Sequence, residues 1–176
     1  DRIETQKRPL ASTKPFAEDS LYQILVADVA LTRGQFKTAL DNYLEQARKT
    51  RDADIIRLTN SIATHQGDAV AILESAQLWV EVEPKQAAAH RAALQAYALH
   101  KRPFEALEQA SWLYRNENDV EAFLAVTAID EDNKQALIPR LIEAYRAIPL
   151  EPDQQATAEL AVAILFRELD DLDSAV

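Results

Sequence analysis

Two glycines divide the chain into units of similar length. Gly34 and Gly67 are the only glycines among the 176 residues, and they lie 33 positions apart. Each stands in a polar stretch between two apolar-periodic segments, at Leu31–Phe36 and Ala63–Asp68. Glycine adopts a positive φ without steric penalty, so it suits a tight reversal between two helices. A further step of about 34 residues reaches Lys101, again in a polar stretch, which predicts a third reversal.

Residues at fixed distances from these turns indicate helix pairs. Five residues after each turn marker stand Ala39, Ile72 and Ala106. A small side chain there, present in two of the three, lets the second helix of a pair approach the first closely. Pro84 marks the end of the second unit, because proline stops one helix and admits the next. The spacing predicts a helical domain over 16–176, with repeats at about 17–51, 53–85 and 86–118 and irregular pairs at 119–148 and 153–176, preceded by a polar tail at 1–15.

Composition favours helices and excludes several classes of function. The chain is 48% hydrophobic, with two glycines and seven prolines, too few for a sheet protein that turns every 8–12 residues or so. Its net charge of −10 repels a phosphate backbone, so no nucleic-acid partner is expected. No apolar run approaches the ~20 residues that span a bilayer. The chain lacks methionine, which suggests a processed or excised segment.

The pattern is less regular after Asn118. Asn118 and Glu121 fit a capping box, which predicts a short helix over Val120–Ile129. The acidic turn Asp130–Asn133 follows, and the next helix tolerates Pro139 if that residue lies near its first turn.

The C-terminal end predicts one more helix, over Asp153–Arg167, and then the start of another. Ala175 lies about two periods after Ala106. A solenoid unit needs a neighbour to cover its apolar face. We therefore expect the natural protein to continue beyond Val176.

The pattern resembles that of the tetratricopeptide repeat (TPR) family. The first repeat matches best, and the second and third depart at Asn60, Ile72 and Lys101. The resemblance implies an all-α fold, a right-handed α-solenoid of antiparallel helix pairs that binds proteins and is not an enzyme. The matching positions of the first repeat are Val26, Ala27, Gly34, Phe36, Ala39 and Tyr43.

Four segments are similar to a bacterial group within that family, namely Phe16–Tyr22, Leu25–Ala27, Leu40–Tyr43 and Ala76–Trp79. These are outer-membrane TPR lipoproteins that act as adaptors for a carboxyl-terminal processing protease and bring substrates to it. The resemblance implies a periplasmic location and a lipid anchor upstream of this chain. The alternatives are a cytoplasmic protein, the regulatory or assembly arm of a larger enzyme, and a module that self-associates.

The resemblance also implies a protein-binding groove on the first helices of successive pairs. Some family members clamp a terminal carboxylate with Lys and Asn, where this chain has Ile24 and Asp28, so that clamp is absent. Arg57 and Arg91 either take a partner's carboxylate or pair with nearby acids of the chain. The groove positions are Leu21, Ile24, Asp28 and Leu31, then Asp54, Arg57, Ser61 and Thr64, then Ala88, Arg91, Gln95 and Ala98.

The sequence holds no pattern typical of a catalytic, metal or cofactor site. His65, His90 and His100 lack i, i+4 spacing and cysteine partners, so we expect surface or turn histidines and no metal. Two isolated glycines do not form a phosphate loop. No cofactor is expected.

Overall fold

A computed structural model of the protein describes residues 18–128 and 134–173. These ranges contain nine α-helices and a 3-10 turn, and no strand. The all-α prediction is thereby confirmed. The predicted tail at 1–15, the acidic turn Asp130–Asn133 and Ala175 lie outside the described residues. The helices are α1 (Glu18–Thr32), α2 (Phe36–Thr50), α3 (Ala53–Gln66), α4 (Ala69–Val82), α5 (Ala87–Leu99), α6 (Pro103–Glu117), α7 (Val120–Ala125), α8 (Lys134–Arg146) and α9 (Gln155–Asp173), with the 3-10 turn at Val126–Ala128.

The helices pack in the order of the chain. Helix α1 packs on α2, α3 on α4 and α5 on α6, and each pair stacks on the next through α2 with α3 and α4 with α5. At the C-terminal end α7 packs on α6, and α8 packs on α9. Because each helix is covered mainly by its neighbours in sequence, the described chain is an α-solenoid. Within the described ranges, none of the helices combines the length and the apolar character needed to cross a bilayer.

Left-handed residues make the predicted reversals. Gly34 has φ 72° and Gly67 has φ 69°, and Lys101 takes φ 54° in the place of a third glycine. At Gly67 the backbone N–H donates to the Thr64 carbonyl at 3.2 Å, and the next N–H, of Asp68, donates to the Ala63 carbonyl at 3.1 Å. These bonds close the end of α3 and start α4 within two residues.

Many of the completely buried side chains in the helix pairs are alanines. Ala39 and Ala106, which the sequence placed at the crossing of each pair, are completely buried, while Ile72 at the equivalent position of the second pair is half-buried. A methyl side chain lets two backbones approach closely, whereas the larger Ile72 packs against the core and stays partly exposed. Other alanines with no exposed surface are Ala27, Ala47, Ala63, Ala76, Ala89, Ala96, Ala110 and Ala161.

The capping-box prediction at the start of α7 is wrong. Asn118 ends α6 in the left-handed region at φ 53°, and Asp119 is the cap, accepting a hydrogen bond from the Ala122 N–H at 3.0 Å. Asparagine tolerates a positive φ, so Asn118 is the C-cap of α6, and the next residue, Asp119, is the N-cap of α7. Helix α7 ends at Ala125 and tightens into a 3-10 turn, so it is shorter than predicted.

Two further features of the C-terminal helices differ from the sequence analysis. Pro139 is the sixth residue of α8, beyond its first turn, where it removes one backbone donor from the helix. Helix α9 begins two residues later than predicted and continues to Asp173, six residues past Arg167. It packs against α8, so the last two described helices form a pair with each other.

Aromatic side chains hold the C-terminal helices together. Tyr114 stacks on Phe123 with ring centroids 4.6 Å apart, and Phe123 meets Tyr145 edge-on at 5.1 Å. The Tyr145 hydroxyl donates to the Phe123 carbonyl at 2.8 Å. Burial raises the pKa of Tyr145 above its ordinary value of 10.0. The cluster joins α6, α7 and α8 where the alanine contacts become fewer.

Replacing Gly67 with alanine tests whether the turn between α3 and α4 needs a residue that adopts a positive φ without strain. A Cβ at Gly67 meets no atom within 4 Å, so only the positive φ opposes it. We expect Gly67→Ala to lower the free energy of unfolding by about 1 kcal/mol, measured by urea denaturation. Gly67→Asn is the matched control and should lose less, since asparagine tolerates this region. An alanine variant as stable as the parent would contradict the argument.

Alkaline unfolding tests the buried Tyr145. Its raised pKa means that the unfolded chain loses the phenolic proton first, so stability is full below pH 10.0 and falls as the pH rises above it. We expect a fall of about 1.4 kcal/mol per pH unit from this group. Tyr145→Phe should make the pH dependence of the unfolding midpoint shallower. A slope identical to that of the parent would count against the assignment.

Candidate protein-binding groove

All the groove residues inferred from the sequence have solvent-accessible side chains. Leu21, Asp28, Asp54, Ser61, Thr64, Ala88, Arg91 and Gln95 are exposed, and Ile24, Leu31, Arg57 and Ala98 are half-buried. They lie on α1, α3 and α5, which are linked through α2 and α4. The structure thus leaves them available for contacts with another molecule.

Asp28 is tied to the second helix of its pair. The hydroxyl of Tyr43, on α2, donates to the Asp28 carboxylate. Burial and then this hydrogen bond raise the pKa of Tyr43 above its ordinary value. The hydrogen bond from α2 thereby orients the exposed Asp28 side chain.

Arg57 is paired with acids of its own chain. Its guanidinium donates to Asp54 one turn earlier, and its Nη1 lies 3.9 Å from Glu83 Oε2. The hydrogen bond to Asp54 raises the pKa of Arg57. Glu83 also accepts from the Trp79 indole N–H at 2.7 Å, so it is held in place from a second side.

Arg91 links α5 to the start of α7. Its Nε and Nη2 both donate to Asp119 Oδ2, at 3.2 and 3.0 Å. The other carboxylate oxygen of Asp119 caps α7 by accepting from Ala122. One aspartate therefore holds both the helix end and the arginine. Both Arg57 and Arg91 therefore form ion pairs with acidic residues of the same chain.

An open groove lies between α5 and α7. Its cavity of about 360 Å³ brings together Arg91, Gln95 and Ala98 from the inferred set with residues of α7 that sequence reasoning missed. The sequence signal for these α7 residues was Asp119, an aspartate directly before the apolar helical stretch that begins at Val120. The positions inferred on α1 and α3 do not line this groove. The lining is Arg91, Leu94, Gln95, Ala98, Asp119, Glu121, Ala122 and Ala125.

His90 is a structural residue, so the expectation that it is a surface or turn histidine is wrong. It is 5% exposed, with Nδ1 2.8 Å from Gln109 Oε1 and Nε2 3.0 Å from the Pro84 carbonyl oxygen. Its ring stacks on Trp112 at 3.8 Å. These contacts join α5 to α6 and to the loop before α5, which is why the side chain is buried.

The other two histidines lie near helix ends. His65 is exposed in the last turn of α3, and His100 Nε2 lies 2.8 Å from the Ala69 carbonyl oxygen. Among residues 18–128 and 134–173, no three His, Cys, Asp or Glu side chains are grouped so as to hold a metal ion.

The stacked helix pairs and the open groove define a TPR-like helical repeat protein. A crystal structure of MamA protein overlays with a TM-score of 0.51 at 16% identity, covering 88% of this chain and 92% of that one. At this identity the overlay shows the fold alone, and that fold is the TPR-like α-solenoid expected from the sequence. No protein-family model matches the chain.

A curated relative of the chain is a TPR repeat protein, which supports the resemblance to the TPR family. The chain is 34% identical over 131 residues to the TPR repeat-containing protein PA4667 of Pseudomonas aeruginosa, and the match covers 74% of this chain. The chain spans only 22% of the length of that relative.

Two substitutions at Asp119 separate its two contacts. Asp119→Ala removes both the cap and the partner of Arg91, and we expect it to lower the free energy of unfolding by about 1–2 kcal/mol. Asp119→Asn keeps an oxygen for the Ala122 N–H and loses only the charge pair, for a cost below about 1 kcal/mol. Urea denaturation gives both values, and hydrogen exchange at Ala122 reports the cap. Equal losses in the two variants would show that the cap does not stabilise α7.

Proposed function

We propose that this chain is a protein-binding module that receives a segment of a partner protein in the groove between α5 and α7. The observation that carries the proposal is the open cavity of about 360 Å³ between these helices. Stacked repeat helices use such exposed faces for binding, and TPR-type repeat proteins generally mediate protein–protein interactions.

The lining of the groove indicates the chemistry of the segment. Leu94, Ala98, Ala122 and Ala125 supply apolar surface, and the small alanine side chains leave room for a larger one from the partner. Pockets of this kind, apolar with a few polar groups at the edge, suit an anchoring side chain.

The charges around the groove favour a cationic partner. Arg91 is neutralised by Asp119, and the carboxylate of Glu121 on the same rim has no ion pair among the described residues. The net charge of −10 adds long-range attraction for a basic segment. A partner segment with an apolar side chain beside a lysine or arginine therefore fits best.

The finer proposal is an adaptor role. The similarity to outer-membrane TPR lipoproteins supports a carboxyl-terminal processing protease as partner, with its substrates as further partners. Holding protease and substrate on one array raises their effective concentration. The same similarity supports a periplasmic site at the outer membrane, reached through a lipid anchor upstream of this chain. Fractionation of cells that make the full-length protein tests this location.

Filling the groove tests the binding function. Ala125 is exposed on the groove wall, so Ala125→Phe fills the cavity without adding charge. We expect this variant to bind the purified protease from the same organism about tenfold more weakly, measured by interferometry on the immobilised chain. Ala156→Phe, at an exposed alanine of α9 outside the groove, is the matched control and should bind normally.

The outcomes separate the two levels of the proposal. If another protein binds and only Ala125→Phe weakens it, the groove stands and the protease role falls. If both variants bind every partner like the parent, the groove is not the binding surface.

A further inference from the structure

Helix α1 has apolar residues on two sides but is covered on only one. Ser20, Ala27 and Ala30 are buried, and α1 packs on α2. The opposite side carries Tyr22, Leu25 and Val29, which are 65%, 54% and 48% exposed. A helix that is apolar all round is normally buried all round. The outer side of α1 therefore has the composition of a contact surface.

The exposed residues of α1 form a stripe that has an acidic residue at one end and a basic residue at the other. Glu18, Tyr22, Leu25, Val29 and Arg33 follow one another at helical spacings of three or four residues and share one face. Arg33 follows the last residue of α1, but its N–H still donates to the Val29 carbonyl at 3.2 Å, so it continues the helical path. Neither Glu18 nor Arg33 forms an ion pair with another described residue.

We propose that this stripe is a homodimer interface in which α1 packs antiparallel to α1 of a second copy. A two-fold axis between Leu25 and Val26 places Tyr22 opposite Val29 of the second copy. The same register places Arg33 opposite Glu18 of the second copy, and symmetry repeats both contacts. The surface is therefore complementary to itself in size and in charge.

The trough beside the stripe supports this packing. A cavity of about 350 Å³ between α1 and the start of α2 is lined by the stripe residues from Tyr22 to Arg33 and, on the α2 side, by Gln35 and Thr38. Side chains from the second copy can enter it as ridges enter grooves in helix packing. A parallel arrangement would bring the two Arg33 side chains together, so charge selects the antiparallel one.

The expected dimer is weak. One helix face buries less than the ~800 Å² per partner of a stable standard interface, and each copy carries a net charge of −10. Dissociation in the micromolar range or above follows, so the measurement must cover high protein concentrations and more than one salt concentration.

Sedimentation equilibrium of the purified chain tests the apolar part. We expect the parent to populate a dimer as concentration rises and Leu25→Asp to remain monomeric. Val70→Asp is the matched control, because Val70 on α4 is 70% exposed and lies outside the stripe, and it should dimerise like the parent. Circular dichroism confirms that each variant is folded. A parent that stays monomeric at all concentrations overturns the proposal, whatever else covers the stripe.

A charge exchange tests the register. Arg33→Glu should raise the dissociation constant about tenfold, because it replaces two attractions with two repulsions. The double variant Glu18→Arg with Arg33→Glu exchanges the charges and should restore the affinity of the parent. If the parent dimerises but both variants match it, the contact lies on another surface and the proposal is wrong.

Discussion

The close approach of consecutive helices is the constraint on which the rest of the structure depends. Completely buried alanines, such as Ala27, Ala39, Ala63 and Ala106, allow that approach. Very short reversals join the helices within these pairs, and they place Gly34, Gly67 and Lys101 in the left-handed region. Because each helix is covered chiefly by its sequence neighbours, the outer faces of α1, α3 and α5 stay open.

The packing changes character after α6, and the groove arises there. Aromatic rings in contact join α6, α7 and α8, and α7 is only six residues long. Asp119 compensates by capping this short helix and holding Arg91 of α5 at the same time. A space bounded by small side chains remains between the two helices. The departure from regular repeats is thus what creates the candidate binding site.

The two proposed surfaces lie on different helices and need not compete. The groove is formed by α5 and α7, whereas the self-complementary stripe lies on α1. A dimer through α1 would present two copies of the groove, and paired sites increase the apparent affinity for a partner that reaches both. Weak self-association would then matter most where the local protein concentration is high.

The sequence alone determined the helical class and the turns at Gly34, Gly67 and Lys101, because helix propensity and tolerance of a positive φ are set by local residue type. The family resemblance suggested Arg91 and Gln95 as groove positions, and both line the cavity between α5 and α7. Only the tertiary structure decided what those residues meet: Arg91 is neutralised by Asp119, 28 positions later, and His90 is buried against Trp112. Periodicity gives the face of a helix, but the partner across that face comes from another helix, whose position depends on packing along the whole chain.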